Sequence, residues 1–160
     1  MAKTAPVALK EGDPAPPLVL TTDRGEALNL ASLKGKTVVL YFYPRADTPG
    51  CTTEACEFRD TSKQFAKHNA VILGISPDTL AAQSKFKTKY DLPFTLLCDV
   101  DKTAAQAYGV WKEKNMYGKT VMGIERTTFI IGKDGRIAKI FPKVKAQGHA
   151  AQVLEALSAL

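Results

Sequence analysis

Two cysteines, Cys51 and Cys56, stand five positions apart in the stretch Tyr41-Phe42-Tyr43-Pro44-Arg45-Ala46-Asp47-Thr48-Pro49-Gly50-Cys51-Thr52-Thr53-Glu54-Ala55-Cys56. A thiol attacks or ligates as its anion, so its chemistry depends on which cysteine sits where negative charge is favoured. The apolar run ending at Tyr43 stops at Pro44, and an amphipathic helix is predicted to start at Thr48-Pro49. In that reading Thr48 is the N-cap, Pro49 takes the first helical position and Cys51 the third. A capping box carries Glu or Gln at that third position. Here it carries a thiol, next to a threonine hydroxyl and unpaired backbone N–H groups. A helix start favours negative charge, so Cys51 reads as a nucleophile.

The spacing to Cys56 predicts two conformations. On one helix, five residues correspond to a rise of about 7.5 Å and a turn of about 140°. A disulfide needs Cα atoms within roughly 7 Å and converging Cβ vectors. The two thiols therefore cannot bond while the helix is wound, and any reaction between them requires its first turns to open. The spacing also excludes a C-x-x-C disulfide reductase. Zinc is disfavoured, because His68 and His149 are remote in sequence and no paired ligand motif exists; both histidines are expected at the surface. Cys56 taken alone reads better as a helix residue without chemistry, since cysteine is readily buried.

The elements that position these residues follow from periodicity. Thr37 to Tyr43 is β-branched and aromatic, as expected of a central strand buried on both faces. The helix from about Pro49 to Lys67 aligns Cys51, Ala55, Phe58, Ser62, Phe65 and Ala66 on one face, with Glu54, Glu57, Asp60 and Lys67 largely elsewhere. Strands are predicted at Leu18 to Leu20, Ala27 to Leu30, Ala70 to Ser76, Phe94 to Cys98, Thr127 to Ile131 and Arg136 to Phe141. Asp23-Arg24-Gly25 and Gly132-Lys133-Asp134-Gly135 are the hairpin turns. Helices are predicted near Thr79 to Tyr90, Asp101 to Tyr108 and Gly148 to Ala159. Trp111 to Glu125 is a polar excursion without clear periodicity, and residues 1–11 form a loose arm. The alternation argues an α/β fold, a central mixed β-sheet flanked by helices.

With 160 residues, 45% of them hydrophobic, the chain is expected to form one domain, 1–160, with a substantial core. No apolar run is long enough for a bilayer span. Pro6 and Lys10-Glu11 interrupt the N-terminus, which does not read as a secretory signal. The expected compartment is cytoplasmic, where thiols stay reduced, and three cysteines are too few for a disulfide scaffold. The net charge of +6 is spread along the chain, and Lys85, Lys87 and Lys89 read as the solvated face of a helix. Neither a nucleic-acid partner nor a membrane partner is indicated.

Pro44-x-x-x-Thr48-x-x-Cys51, with Cys56 following and Arg126 ahead of an apolar strand, resembles the peroxiredoxins, most closely the peroxiredoxin Q or bacterioferritin comigratory protein subfamily. The resemblance extends through Gly12-Asp13-Pro14-Ala15-Pro16, Phe58-Arg59-Asp60, Gly74-Ile75-Ser76, Gly109-Val110-Trp111 and Gly123 to Phe129. It implies a thioredoxin-like fold and the reduction of hydroperoxides. On that basis Cys51 is the peroxidatic cysteine, which becomes a sulfenic acid. Thr48 bonds the sulfur and the peroxide, Pro44 shields the site, and Arg126 holds the thiolate and polarises the peroxide. Cys56 is the resolving cysteine of an intramolecular disulfide that thioredoxin or a similar dithiol protein reopens. The subfamily pattern implies a monomer and neither metal nor organic cofactor.

Three residues read more plainly. Cys98 reads as a buried, inert thiol, with an alternative resolving or sensor cysteine as the other reading; Glu54 either fixes Arg126 or only complements the helix dipole; Trp111 reads as packing rather than substrate contact. Two other functions fit parts of the sequence: a redox sensor or relay passing oxidation to a partner, and a basic binding module.

Overall fold

The computed structural model describes residues 9–160. Its middle strand is β3, Thr37–Phe42, in which every residue is buried. Side chains alternate across the pleat, so Val39 and Tyr41 enter one core cluster while Val38, Leu40 and Phe42 enter another. β3 pairs in parallel with β4, Ala70–Ser76, and antiparallel with β8, Thr127–Ile131. Outward on the two sides lie β5 (Thr95–Cys98), β1 (Val19–Thr22) and β2 (Ala27–Asn29), and β9 (Ile137–Phe141). The seven-stranded mixed sheet runs in the order β2-β1-β5-β4-β3-β8-β9.

The two faces carry different elements. α1 (Pro49–Asp60), α2 (Ser62–Lys67), α3 (Leu80–Tyr90) and α5 (His149–Ser158) cover one face. They contribute Ala55, Phe58, Phe65, Phe86, Val153 and Leu157 to the cluster around Tyr41. The other face is covered by α4 (Thr103–Ala107) and by a hairpin of β6 (Trp111–Met116) and β7 (Lys119–Ile124). This is the thioredoxin-like arrangement expected: a βαβ unit of β3, α1, α2 and β4, joined to the antiparallel β8–β9 hairpin.

Several details depart from the periodicity. The long helix expected over 49–67 is two helices that meet at Thr61, whose hydroxyl donates to the Glu57 carbonyl at 2.8 Å; such back-bonding competes with the regular ladder. The break rotates the second segment and leaves Ala66 exposed. The excursion at 111–125 is mostly the β6–β7 hairpin, turning at Tyr117 (φ 53°) and Gly118 (φ 77°). Both turn residues are left-handed, as a two-residue hairpin loop requires, but Tyr-Gly is not the sequence usually found there. His149 is buried rather than at the surface, with Phe58 and Phe141 against its ring and Thr128 Oγ1 2.7 Å from Nε2. Burial pushes its pKa down. Of the expected N-terminal arm, residues 1–8 lie outside the described residues. Glu11 is not loose: its carboxylate accepts from the Ile140 N–H at 3.1 Å.

The site-bearing strand is packed through a glycine. Gly74 of β4 faces Tyr41 in register, and a Cβ there would lie 2.9 Å from the Tyr41 ring and 3.0 Å from Leu96. Gly74→Ala is expected to destabilise the protein by about 1–3 kcal/mol, the usual cost of overpacking a core. Urea unfolding reads this directly, and an unchanged midpoint would show that the tyrosine has room to move.

Candidate active site

The site forms where β3 ends and α1 begins. Pro44, half-buried, stops β3, and residues 45–48 turn the chain into the helix. This turn is pinned at two points. Asp78 Oδ2 accepts from the Ala46 N–H at 2.7 Å, and Asp47, at φ 61°, accepts from Lys89 Nζ at 2.8 Å and Tyr90 Oη at 2.7 Å. Hydrogen bonds from Lys89 and Tyr90 hold the Asp47 carboxyl below its usual range.

Thr48 is the N-cap, Pro49 the first helical residue and Cys51 the third, as the sequence indicates. The Thr48 side chain does not close the cap and does not donate to the sulfur. Its hydroxyl donates to the Arg45 carbonyl at 2.9 Å, which leaves the oxygen as an acceptor. Cys51 is 1% exposed, Cys56 is half-buried on the same wound helix, and both are free thiols.

Arg126, just before β8, closes the site from the neighbouring strand. Its Nη2 donates to Cys51 Sγ at 3.3 Å and its Nη1 to Glu54 Oε1 at 2.6 Å. Gly50 allows this approach, since a Cβ there would stand 3.2 Å from Nη2. Burial works against the guanidinium charge, but Glu54 and the Cys51 sulfur outweigh it and hold the Arg126 pKa above its ordinary value. Glu54 is fully buried, against the expectation that it lies on the polar face. Its Oε2 has no hydrogen-bond partner among the described residues. Burial pushes its pKa up to about 7 even though Arg126 pulls it down.

The structure thus brings Cys51 and Arg126 into contact, puts Thr48 and Pro44 on the turn that leads into α1, has Glu54 fix Arg126, the first of its two expected readings, and adds Gly50. The second half of α1 is anchored independently. Both Glu57 carboxylate oxygens accept from the Gly148 N–H at 2.9 and 3.0 Å, and Arg59 Nη1 donates to the Tyr90 carbonyl at 2.8 Å. Cys56 lies between the two sets of ties. Cys98, at the end of β5, is buried, and burial raises its pKa above the ordinary thiol value, which disfavours its thiolate. Among the described residues no cluster of His, Cys, Asp and Glu has the composition of a metal site, and no helix is long and apolar enough to cross a membrane.

A buried thiol at a helix start, bonded to an arginine, thus sits on a thioredoxin-like sheet, the arrangement that the resemblance to peroxiredoxins implies. Comparison with known proteins makes the class specific. Residues 11–140 match the AhpC/TSA family. A peroxiredoxin Bcp of Bacillus subtilis is 50% identical over 151 residues, covering 94% of this chain and 96% of that protein. A putative peroxiredoxin bcp of Coxiella burnetii is 53% identical over 148 residues, 92% and 98% of the two chains. The bacterioferritin comigratory protein of Xanthomonas campestris, solved in work on its alkyl peroxide reduction activity, superposes with a TM-score of 0.86 at 42% identity, covering 89% of this chain and 90% of that one. The chain belongs to the AhpC/TSA family and, within it, to the peroxiredoxin Q or bacterioferritin comigratory protein group of peroxiredoxins. It is an enzyme of the peroxidase class, with a peroxide as substrate and a thiol as reductant.

The upward shift of Glu54 has a readable sign. Between the ordinary carboxyl value of 4.5 and about 7, the folded protein binds more protons at this residue than the unfolded chain does. Stability contributed by the protonated form is therefore lost as pH rises through that window. Relative to Glu54→Gln, the wild type is expected to lose unfolding free energy over this window and to run parallel above it. Denaturant titrations at several pH values provide the check, and parallel curves throughout would show that Glu54 titrates in the folded state as it does in the unfolded chain.

Proposed function

We propose that the protein reduces hydrogen peroxide and organic hydroperoxides by an atypical two-cysteine cycle on Cys51 and Cys56. The reading is supported chiefly by the Arg126 guanidinium, which touches Cys51 Sγ while Glu54 fixes its other nitrogen. In the first step the Cys51 thiolate attacks the terminal peroxide oxygen. The S–O bond forms, the O–O bond breaks, the sulfur loses two electrons to oxygen, and the departing alkoxide or hydroxide takes a proton from solvent. The Thr48 oxygen, with its own hydrogen engaged at Arg45, is free to accept from the peroxide O–H. Pro44 limits water at the sulfur.

Ionisation alone does not supply the rate. A free thiol is about 3% thiolate at pH 7, so complete ionisation gains roughly thirtyfold, about 2 kcal/mol. Groups that bind the oxygens more tightly as the O–O bond breaks must supply the rest, and Arg126 is placed to do so.

In the second step Cys56 attacks the sulfenic acid of Cys51, expelling water and closing a disulfide. The wound helix holds these sulfurs apart, so its first turns must open, releasing the Arg126 contacts. The ties at Glu57 and Arg59 lie beyond Cys56 and need not break. Thioredoxin or a similar dithiol protein then reduces the disulfide. The 160-residue domain works as a monomer, in the reducing cytoplasm, without metal or organic cofactor.

Peroxide assays with a thioredoxin system test the cycle. Cys51→Ser is expected to abolish turnover, and Cys56→Ser to stop after one peroxide with a trappable sulfenic acid. Arg126→Ala is expected to slow peroxide reduction by more than the roughly thirtyfold that ionisation could explain; an unaltered rate would remove Arg126 from the mechanism. Mixed disulfides of Cys56→Ser with proteins other than thioredoxin would favour a relay over a peroxidase.

A further inference from the structure

The bonds around Cys51 leave its charge unbalanced. When the sulfur is a thiolate and Glu54 is ionised, two anions face the single cation Arg126, whose two terminal nitrogens are already engaged. As the O–O bond breaks, negative charge leaves the sulfur for the departing oxygen, which Arg126 must then share with Glu54. A second positive group near the site would meet that charge.

The β6–β7 hairpin carries one. Lys114, near the middle of β6, is half-buried rather than extended into water. Its side chain lies across β7 over Gly123: a Cβ at 123 would stand 3.1 Å from Cδ, 3.4 Å from Cε and 3.7 Å from Nζ. Gly123 is therefore the groove that holds the ammonium in place, three residues before Arg126 in the chain. The neighbouring Lys112 is taken by Glu125, Nζ to Oε2 at 2.7 Å, whereas Lys114 has no carboxylate within salt-bridge distance among the described residues. Lys114 is also within electrostatic reach of the reacting sulfur. Burial pushes its pKa down and Arg126 adds to this, while Glu125 and Cys51 favour its charge. A cation kept partly dry beside another cation is unfavourable in the resting protein. It becomes favourable once negative charge develops within reach of both.

We propose that Lys114 is the second cation of the peroxide-reducing centre and stabilises the charge that arrives on the departing oxygen. The inference rests on the peroxidase reading above and adds a residue to it. The step is unchanged in its balance: S–O forms, O–O breaks, and the alkoxide or hydroxide is protonated by solvent. The contribution of Lys114 grows with the basicity of the leaving oxygen, because a weakly basic leaving group carries its own charge well.

Two oxidants separate this role from a structural one. tert-Butyl hydroperoxide expels a basic alkoxide, and peroxyacetic acid expels acetate. Single-turnover oxidation of Cys51, followed in wild type, Lys114→Met and Lys114→Arg, gives the rate constant for each. Lys114→Met is expected to lose about tenfold with tert-butyl hydroperoxide and little with peroxyacetic acid, and Lys114→Arg to recover most of the loss. Equal losses with both oxidants, no loss with either, or no recovery by arginine would overturn the assignment while leaving the peroxidase intact. A wild-type protein inert to both oxidants would instead defeat the peroxidase reading, and this inference with it.

Discussion

The Arg126 guanidinium is the point at which two separately formed parts of the fold meet. It stands at the start of β8 and reaches the first turns of α1, with one nitrogen on Cys51 Sγ and the other on Glu54 Oε1. β3 lies between these elements, paired to β8 and leading into α1, so the arginine spans adjacent strand and helix with little freedom to shift. Gly50 lets it come close, and the fully buried Glu54 keeps it there. A buried ion pair of this kind adds little to net stability, because both charges must be desolvated. In the proposed cycle its effect is to place a fixed positive charge where a sulfur anion is held and an O–O bond weakened.

The same contact ties chemistry to the state of the helix. Its bonds lie in the segment that must open before Cys51 can meet Cys56, whereas Glu57, Phe58 and Arg59 hold the rest of α1 to α5, the core and α3. In the proposed cycle, attack on peroxide calls for the wound helix and disulfide formation for the opened one. Both demands fall on a few residues after Pro49, so the segment is stabilised by a polar contact and one buried thiol rather than by large apolar side chains. The aromatic packing begins at Phe58, stacked on Tyr41 with ring centroids 4.7 Å apart.

Much of this was legible in the sequence, for local reasons. Thr48-Pro49-Gly50-Cys51 carries its own helix start, and the apolar Thr37–Phe42 run can only be a strand covered on both sides. Arg126 stands 75 residues beyond Cys51, and no periodicity links them; only the resemblance to peroxiredoxins joined the two. Periodicity sets Glu54 on the polar side of its helix and His149 at the surface, because a polar residue at a core position looks like any other until its partner is known; for Glu54 only the resemblance offers that partner. Those partners, Arg126 and Thr128, come from elsewhere in the fold. The β6–β7 hairpin escaped detection because Lys112-Glu113-Lys114-Asn115 lacks apolar alternation and its turn is Tyr117-Gly118. Without the hairpin, the packing of Lys114 over Gly123 cannot be read either.

The dependence of the cycle on the winding of α1 is open to one direct measurement. Amide hydrogen exchange can be followed in the fully reduced protein, after one equivalent of peroxide, and after restoration with a dithiol. The account predicts that amides between Cys51 and Cys56 are protected when reduced, lose protection on oxidation and regain it on reduction, while β3 stays protected throughout. A Cys51–Cys56 disulfide formed with the exchange of this segment unchanged would contradict it.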